Sequence, residues 1–189
     1  MSTIKVDPRI GAFFDLIAWS EATSTQHATI DDGYDVIVTG VNGLNNFTDY
    51  SVHPFLQGRA HIQVRRPTYQ GITGPTEDLT AATVPVVTLR NGLWSTASGR
   101  YQIILPTWEH IAASQNLGTF SPTAQDLACL ELLTRAGAVA SIVAAEPEAA
   151  VRACSSLWAS FPGNNYGQGG NDIEHLMTIY KQMLAQHAA

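Results

Sequence analysis

An α+β fold, mainly helical with a small antiparallel β lobe, is predicted by three features of the sequence. An amphipathic helical pattern opens at Asp7-Pro8, and from Ser98 onward the chain reads as mainly helical, with proline-marked starts. Between them Tyr34-Asp35-Val36-Ile37-Val38-Thr39-Gly40 reads as a short strand closed by glycine. At 189 residues and 45% hydrophobic content, the chain is expected to form a single domain, 1–189, around a real core.

The first helix is well marked. Asp7 is a favoured N-cap and Pro8 a favoured first helical residue, because a capping oxygen satisfies an orphan amide and proline has none to leave unpaired. Ile10, Phe13, Phe14 and Ile17 recur at helical spacing, and Glu21 continues their stripe four residues after Ile17. Leu16 and Trp19 make the opposite side apolar too, so the helix is expected to be covered on both sides, as a spine between two lobes. A carboxyl on an apolar stripe at a helix C-terminus, where the macrodipole disfavours negative charge, should hold its proton above the usual range. That suits a general acid; it equally suits a structural ion pair, and this helix alone leaves both open.

After the strand, Gly43 and Asn45-Asn46 mark a turn before 47–54. Residues 55–94 contain two strand candidates, 61–65 and 84–89, broken by Pro67, Pro75 and Pro85, with a hairpin signal at Asn91-Gly92 and a return at Leu93-Trp94. So long a stretch with so little regular pattern is read as an inserted flap. Trp94 serves there either as a hinge packed in the core or as a sugar-stacking ring. Further on, Pro106 opens a helix towards Asn116, and Ser121-Pro122 opens one that reaches Gly137. Two more helical pieces cover 139–145 and 147–158. The loop 161–170 follows, and Asn171 is read as the cap of a last helix with Glu174 at the capping-box position.

Composition excludes several classes. A net charge of −6 with ten Lys and Arg argues against a nucleic-acid partner, and the one short basic cluster, Arg59, His61 and Arg65-Arg66, reads as solvated surface. No apolar run is long enough for stable membrane insertion, and no secretory h-region is visible at the N-terminus. The six histidines show no paired ligand spacing, so neither a metal nor another cofactor is expected. Cys129 and Cys154 lie in helical patterns and read as small buried hydrophobes, with a disulfide between them left open.

Separately, Glu21, Gly99-Arg100-Tyr101-Gln102 and Tyr166-Gly167-Gln168 are weak signals. Together, with their neighbours, they form a pattern. The chain resembles the lambda-type phage endolysins, peptidoglycan lytic transglycosylases of lysozyme-like fold. The likeness runs through Leu16-Ile17-Ala18-Trp19-Ser20-Glu21, 33–38, 47–54, 95–102, Phe120-Ser121-Pro122 with Gln125-Asp126, and 158–168. More loosely, it is similar to cellular lytic transglycosylases and goose-type lysozymes. Two departures stand out: Ala22 follows the acid where the family has glycine, and the 54–98 segment is longer.

The resemblance implies a lysozyme-like α+β domain in which 55–94 forms a flap or lip over the cleft. It implies that Glu21 is the catalytic acid and that Arg100, Tyr101, Gln102 and Tyr166 bind substrate near the scissile bond, with Asp49 and Tyr50 on the sheet side. Trp158 is expected in the core. The implied partner is the glycan strand of peptidoglycan, bound by a monomer. The implied setting is the host cytoplasm, with release to the cell wall through a separate holin-like pore for host cell lysis. A hydrolytic lysozyme would need a second carboxylate, for which Asp31, Asp32, Asp35 and Asp49 are candidates. A non-catalytic glycan-binding or virion module is the remaining alternative.

Overall fold

In the computed structural model the chain is described over residues 2–25, 29–40, 43–57, 62–65, 88–89, 92–163 and 170–188; for 39–40, 43–45, 57, 62–65, 88–89 and 92–94 the backbone alone is described. Helix α1 (Pro8–Ser20) starts as its sequence dictates, with Asp7 Oδ1 accepting the Arg9 backbone N–H at 2.9 Å. Nine consecutive residues of α1, 10–18, are buried, because the helix is covered on opposite sides. The last helix, α6 (Ile173–His187), and the segment before it cover one side: Phe13 meets Phe161 and Tyr180 edge-on, at 6.1 and 6.2 Å. Phe14 meets Tyr101 at 5.5 Å on the other. The two helices far apart in sequence, α1 and α6, share the most extensive contact of any two elements among the described residues.

Among the described residues the β lobe comprises two small antiparallel sheets. Strand β1 (Val36–Gly40) pairs with β2 (Gly43–Asn46), with Val36 opposite Asn46 and Gly40 opposite Gly43. Gly43 and Asn45-Asn46, read from sequence as a turn, are therefore strand residues; β1 supplies ladder partners that override their turn preference. The Asn46 amide donates to the buried Asp35 Oδ2 at 2.7 Å. The second sheet has the order β3-β5-β4, from β3 (Ile62–Arg65), β4 (Thr88–Leu89) and β5 (Gly92–Ser95). Leu89 pairs with Gly92, which is thus a strand residue, while Asn91 of the Asn91-Gly92 signal lies outside the described residues. A 3-10 turn, Pro54–Gln57, precedes this sheet. Much of the flap reading, including Arg59, His61, Arg66 and the side chain of Trp94, lies outside the described residues.

Four helices connect the lobe to α6: α2 (Leu105–Gln115), α3 (Pro122–Arg135), α4 (Ala138–Val143) and α5 (Pro147–Ala153). Helix α5 stops five residues short of Trp158, where Ser155-Ser156 offer little helix propensity. Asp172, not Asn171, caps α6, accepting the N–H groups of Glu174 and His175 at 3.1 and 3.3 Å. Asn171 is committed elsewhere, its Nδ2 donating to the Ser160 carbonyl at 3.2 Å. Trp158 is in the core, with its Nε1–H on the Tyr101 carbonyl at 2.9 Å. Cys129 and Cys154 are both free and buried. Among the described residues no helix is long and apolar enough to cross a membrane, and no group of three His, Cys, Asp or Glu could hold a metal ion.

Candidate active site

Glu21 is the C-cap of α1, its N–H still bonded to the Ile17 carbonyl at 2.9 Å. Ala22 then takes the left-handed conformation, φ 57°. The Ala22 N–H reaches Trp19 O at 2.9 Å and the Thr23 N–H reaches Ala18 O at 3.0 Å, the paired bonds of a Schellman termination. The chain turns away sharply at this point, leaving the Glu21 side chain at the rim of the core, partly exposed. Burial around its carboxyl raises its pKa above the ordinary glutamate value, while the hydroxyl and backbone N–H of Ser160 pull it back down. Among the described residues no charged side chain contributes to that shift.

Ser160 is the partner that sequence reasoning missed. Its Oγ lies 2.5 Å from Glu21 Oε1 and 3.0 Å from Ser20 Oγ. Asn171 fixes its backbone: the Asn171 N–H and Nδ2 both donate to Ser160 O, at 2.8 and 3.2 Å. Gly170 completes the clamp, since a Cβ there would stand 2.7 Å from the Phe161 carbonyl oxygen. The residues Trp158-Ala159-Ser160 carried part of the family likeness, but nothing local in sequence ties Ser160 to an acid 139 residues away.

The turn 99–102 is built against β1. Gly99 donates its N–H to Val36 O at 2.7 Å. Its φ of +77° and the proximity of Gln125, whose Oε1 would be 2.1 Å from an added Cβ, both require glycine. Gln125, fully buried, accepts the Arg100 N–H at 2.9 Å and donates to Tyr34 O and Phe120 O. Thr23 Oγ1 donates to Arg100 O at 2.6 Å, tying this turn to the segment that follows Glu21.

Two of the residues expected to contact substrate on this turn are buried. Arg100 is 2% exposed and ion-paired with Asp15 at 2.7 Å and Asp32 at 2.9 Å. Its guanidinium also lies over the Tyr34 ring, 5.2 Å from the centroid. Tyr101 is fully buried, its hydroxyl donating to Asp126 Oδ1 at 2.6 Å. Both side chains face inward because each finds a buried carboxylate there, so they support the turn from beneath. Gln102 alone of the three stays partly exposed, at φ 50°, with its Nε2 donating to Gly99 O at 3.0 Å.

On the sheet side, Asp49 is exposed and its carboxylate accepts the Ser51 N–H at 2.8 Å, which lowers its pKa. Tyr50 is half-buried and its hydroxyl donates to Asp31 Oδ2 at 2.7 Å. Burial and that carboxylate raise the phenol's pKa. Asp35 is buried and accepts from Thr29 Oγ1, the Ile30 N–H and the Asn46 amide. Tyr166 lies outside the described residues. The shallow depressions between α5 and α6, lined by Glu148, Met177 and Lys181, do not include Glu21.

A helix ending in a partly buried acid, a glycine-led turn tied to it, and a small β lobe define a lysozyme-like protein. The profile of the Endolysin family matches residues 11–187, and the chain belongs to that family of phage enzymes. It is 38% identical over 182 residues to the endolysin of Escherichia phage P2, covering 96% of each chain. With the endolysin of Escherichia phage lambda it shares 32% identity over 180 residues, covering 95% of this chain and 93% of that one. Among solved structures, bacteriophage lambda lysozyme complexed with a chitohexasaccharide superposes with a TM-score of 0.73 at 31% identity, covering 96% of this chain and 97% of that one. A second structure of the lysozyme from bacteriophage lambda gives a TM-score of 0.66 at 29% identity, covering 98% and 96%.

Proposed function

We propose that the chain is a lytic transglycosylase that cleaves the β-1,4 bond between N-acetylmuramic acid and N-acetylglucosamine in peptidoglycan, with Glu21 as its single acid and base. The observation that carries this reading is the Glu21 carboxyl itself: partly accessible, held towards its protonated form by burial, and without a charged neighbour acting on it among the described residues. Protonated Glu21 donates to the glycosidic oxygen as the C1–O bond breaks. The C6 hydroxyl of the muramoyl residue attacks C1 and returns its proton to Glu21. The product is a 1,6-anhydro-muramoyl end, and no water is consumed.

The glycan as ligand is supported by the lambda lysozyme complex with a chitohexasaccharide. Gln102, Asp49, Tyr50 and Tyr166 are the residues to which we assign substrate contact. Residues 55–94 are assigned as a lip over the strand, within one catalytic domain. Release from the host cytoplasm to the wall through a separate pore protein completes the proposal.

A hydrolase would need a second carboxylate to steer water or trap the sugar. The aspartates best placed in sequence are already engaged: Asp31 by Tyr50, Asp32 by Arg100, Asp35 by Thr29 and Asn46, Asp49 by Ser51. This favours the single-acid reaction. Mass spectrometry of muropeptides released from purified sacculi is the test. Anhydro ends from the wild type and none from Glu21→Gln are expected; hydrated reducing ends would assign hydrolysis instead.

A further inference from the structure

Three oxygens lead away from the acid in a line. Ser160 Oγ stands 2.5 Å from Glu21 Oε1, Ser20 Oγ stands 3.0 Å from Ser160 Oγ, and the Ile17 carbonyl stands 3.0 Å from Ser20 Oγ. A hydroxyl carries one proton, so Ser160 can donate to only one neighbour at a time. Two arrangements satisfy the chain. With Glu21 ionised, Ser160 donates to the carboxylate. With Glu21 protonated on Oε1, before substrate is engaged, the acid donates to Ser160, Ser160 donates to Ser20, and Ser20 donates to Ile17 O, a carbonyl near the helix end.

We propose that Ser160 is a positioning residue that reverses its hydrogen-bond direction as Glu21 Oε1 gains or loses a proton, with Ser20, held on Ile17 O, as the acceptor in the protonated state. This rests on the reading of Glu21 as the proton shuttle. A carboxyl oxygen that carries the proton in one state and not in the other loses its contact if its partner there is a fixed donor, such as lysine, or a fixed acceptor, such as a carbonyl. A serine pair ending on a carbonyl serves both states without moving a heavy atom. The clamp described above, Asn171 on the Ser160 carbonyl and Gly170 against Phe161, holds Ser160 for that role. Nothing ionisable competes: among the described residues burial and Ser160 alone act on the Glu21 carboxyl.

The two serines should therefore shift the Glu21 titration in opposite senses. Ser160→Ala removes a donor to the ionised form and should raise the midpoint, by about one pH unit on the scale of a hydrogen bond to a charged group. Ser20→Ala removes the acceptor that completes the protonated arrangement and should lower it. Ser160→Cys, which keeps the volume and weakens the donor, should move as Ser160→Ala does, and Ser160→Thr should restore the wild-type value. The measurement is carboxyl-carbon NMR of Glu21 in the folded full chain, with the basic limb of kcat/KM on sacculi moving in parallel.

A purely structural serine would lower stability and leave both midpoints where they were, and that result overturns the proposal. Shifts of the same sign in both alanine variants overturn it as well. The titration is read without activity, so it is separate from the catalytic reading: full lysis by Glu21→Gln would overturn that reading, and the NMR midpoints would still decide the relay.

Discussion

His187 and Asp15, 172 residues apart, meet at 2.8 Å between Nε2 and Oδ2. The other oxygen of Asp15 holds Arg100 at 2.7 Å, so one buried carboxylate joins the last turn of α6, the middle of α1 and the turn beside the candidate acid. Gly11 makes room for the contact, since a Cβ there would lie 2.7 Å from the His187 ring.

Replacing Asp15 by asparagine should destabilise the fold by about 1–3 kcal/mol, because Arg100 then keeps the half-exposed Asp32 as its carboxylate partner and loses the buried one. Urea denaturation would measure this. His187→Ala should cost less, as Arg100 keeps its partner, and a D15N loss no larger than that of His187→Ala would contradict the ranking.

Glu21→Gln should reduce turnover on sacculi by about 10²- to 10⁴-fold, the usual range for loss of a general acid–base group. It should also stabilise the fold at neutral pH. The folded-state pKa of Glu21 lies above its ordinary value of 4.5, so the folded state binds the extra proton between those two values and wild-type stability falls as pH rises through that window. The thermal advantage of the variant should thus be present at pH 7 and vanish below pH 4.5. An advantage independent of pH would contradict the buried-acid argument.

His53 predicts an acid-side loss. It is fully buried, with Nε2 donating to Ile103 O at 3.1 Å and Nδ1 accepting the Phe55 N–H at 3.3 Å, and burial lowers its pKa from 6.5 to about 4. The neutral form is thus the folded form, and stability should be complete above pH 6.5 and decline as pH falls towards 4. The loss should be on the order of 3 kcal/mol. A His53 ring that titrates by NMR near 6.5 would disprove it.

Ala22→Gly should stabilise by about 1 kcal/mol, because a left-handed φ burdens any residue with a Cβ. The urea midpoint reads the difference directly. A destabilised glycine variant would mean that the unfolded-state entropy of glycine outweighs the strain relieved at this helix end.

Local signals were legible wherever chemistry and sequence neighbourhood coincide. The Asp7-Pro8 start, the Ser121-Pro122 start and the strand at Val36 all follow from adjacent residues. Glycine is the usual residue at C′, and the alanine at position 22 gains its meaning only from the observed φ of 57°. The misread features are those decided at long range. Asn45-Asn46 became strand because β1 paired with them, and Asn171 left the cap to Asp172 because Ser160 offered its carbonyl. Arg100 and Tyr101 turned inward because Asp15 and Asp126, 85 and 25 residues away, offered buried acceptors. A motif names the residues of a site; which of them reach a ligand depends on partners that the motif does not contain.

The dominance of the α1–α6 contact also bears on how the protein is made. A ribosome that has synthesised α1 holds an apolar rod, buried residue after residue in the finished fold, whose widest cover arrives only once residues up to His187 have emerged. Contacts of such sequence separation delay folding until late in synthesis and leave the nascent chain in need of shielding. The same dependence keeps Glu21 without its Ser160 partner until the C-terminal third is in place, so unfinished chains released early would be inert as well as unstable.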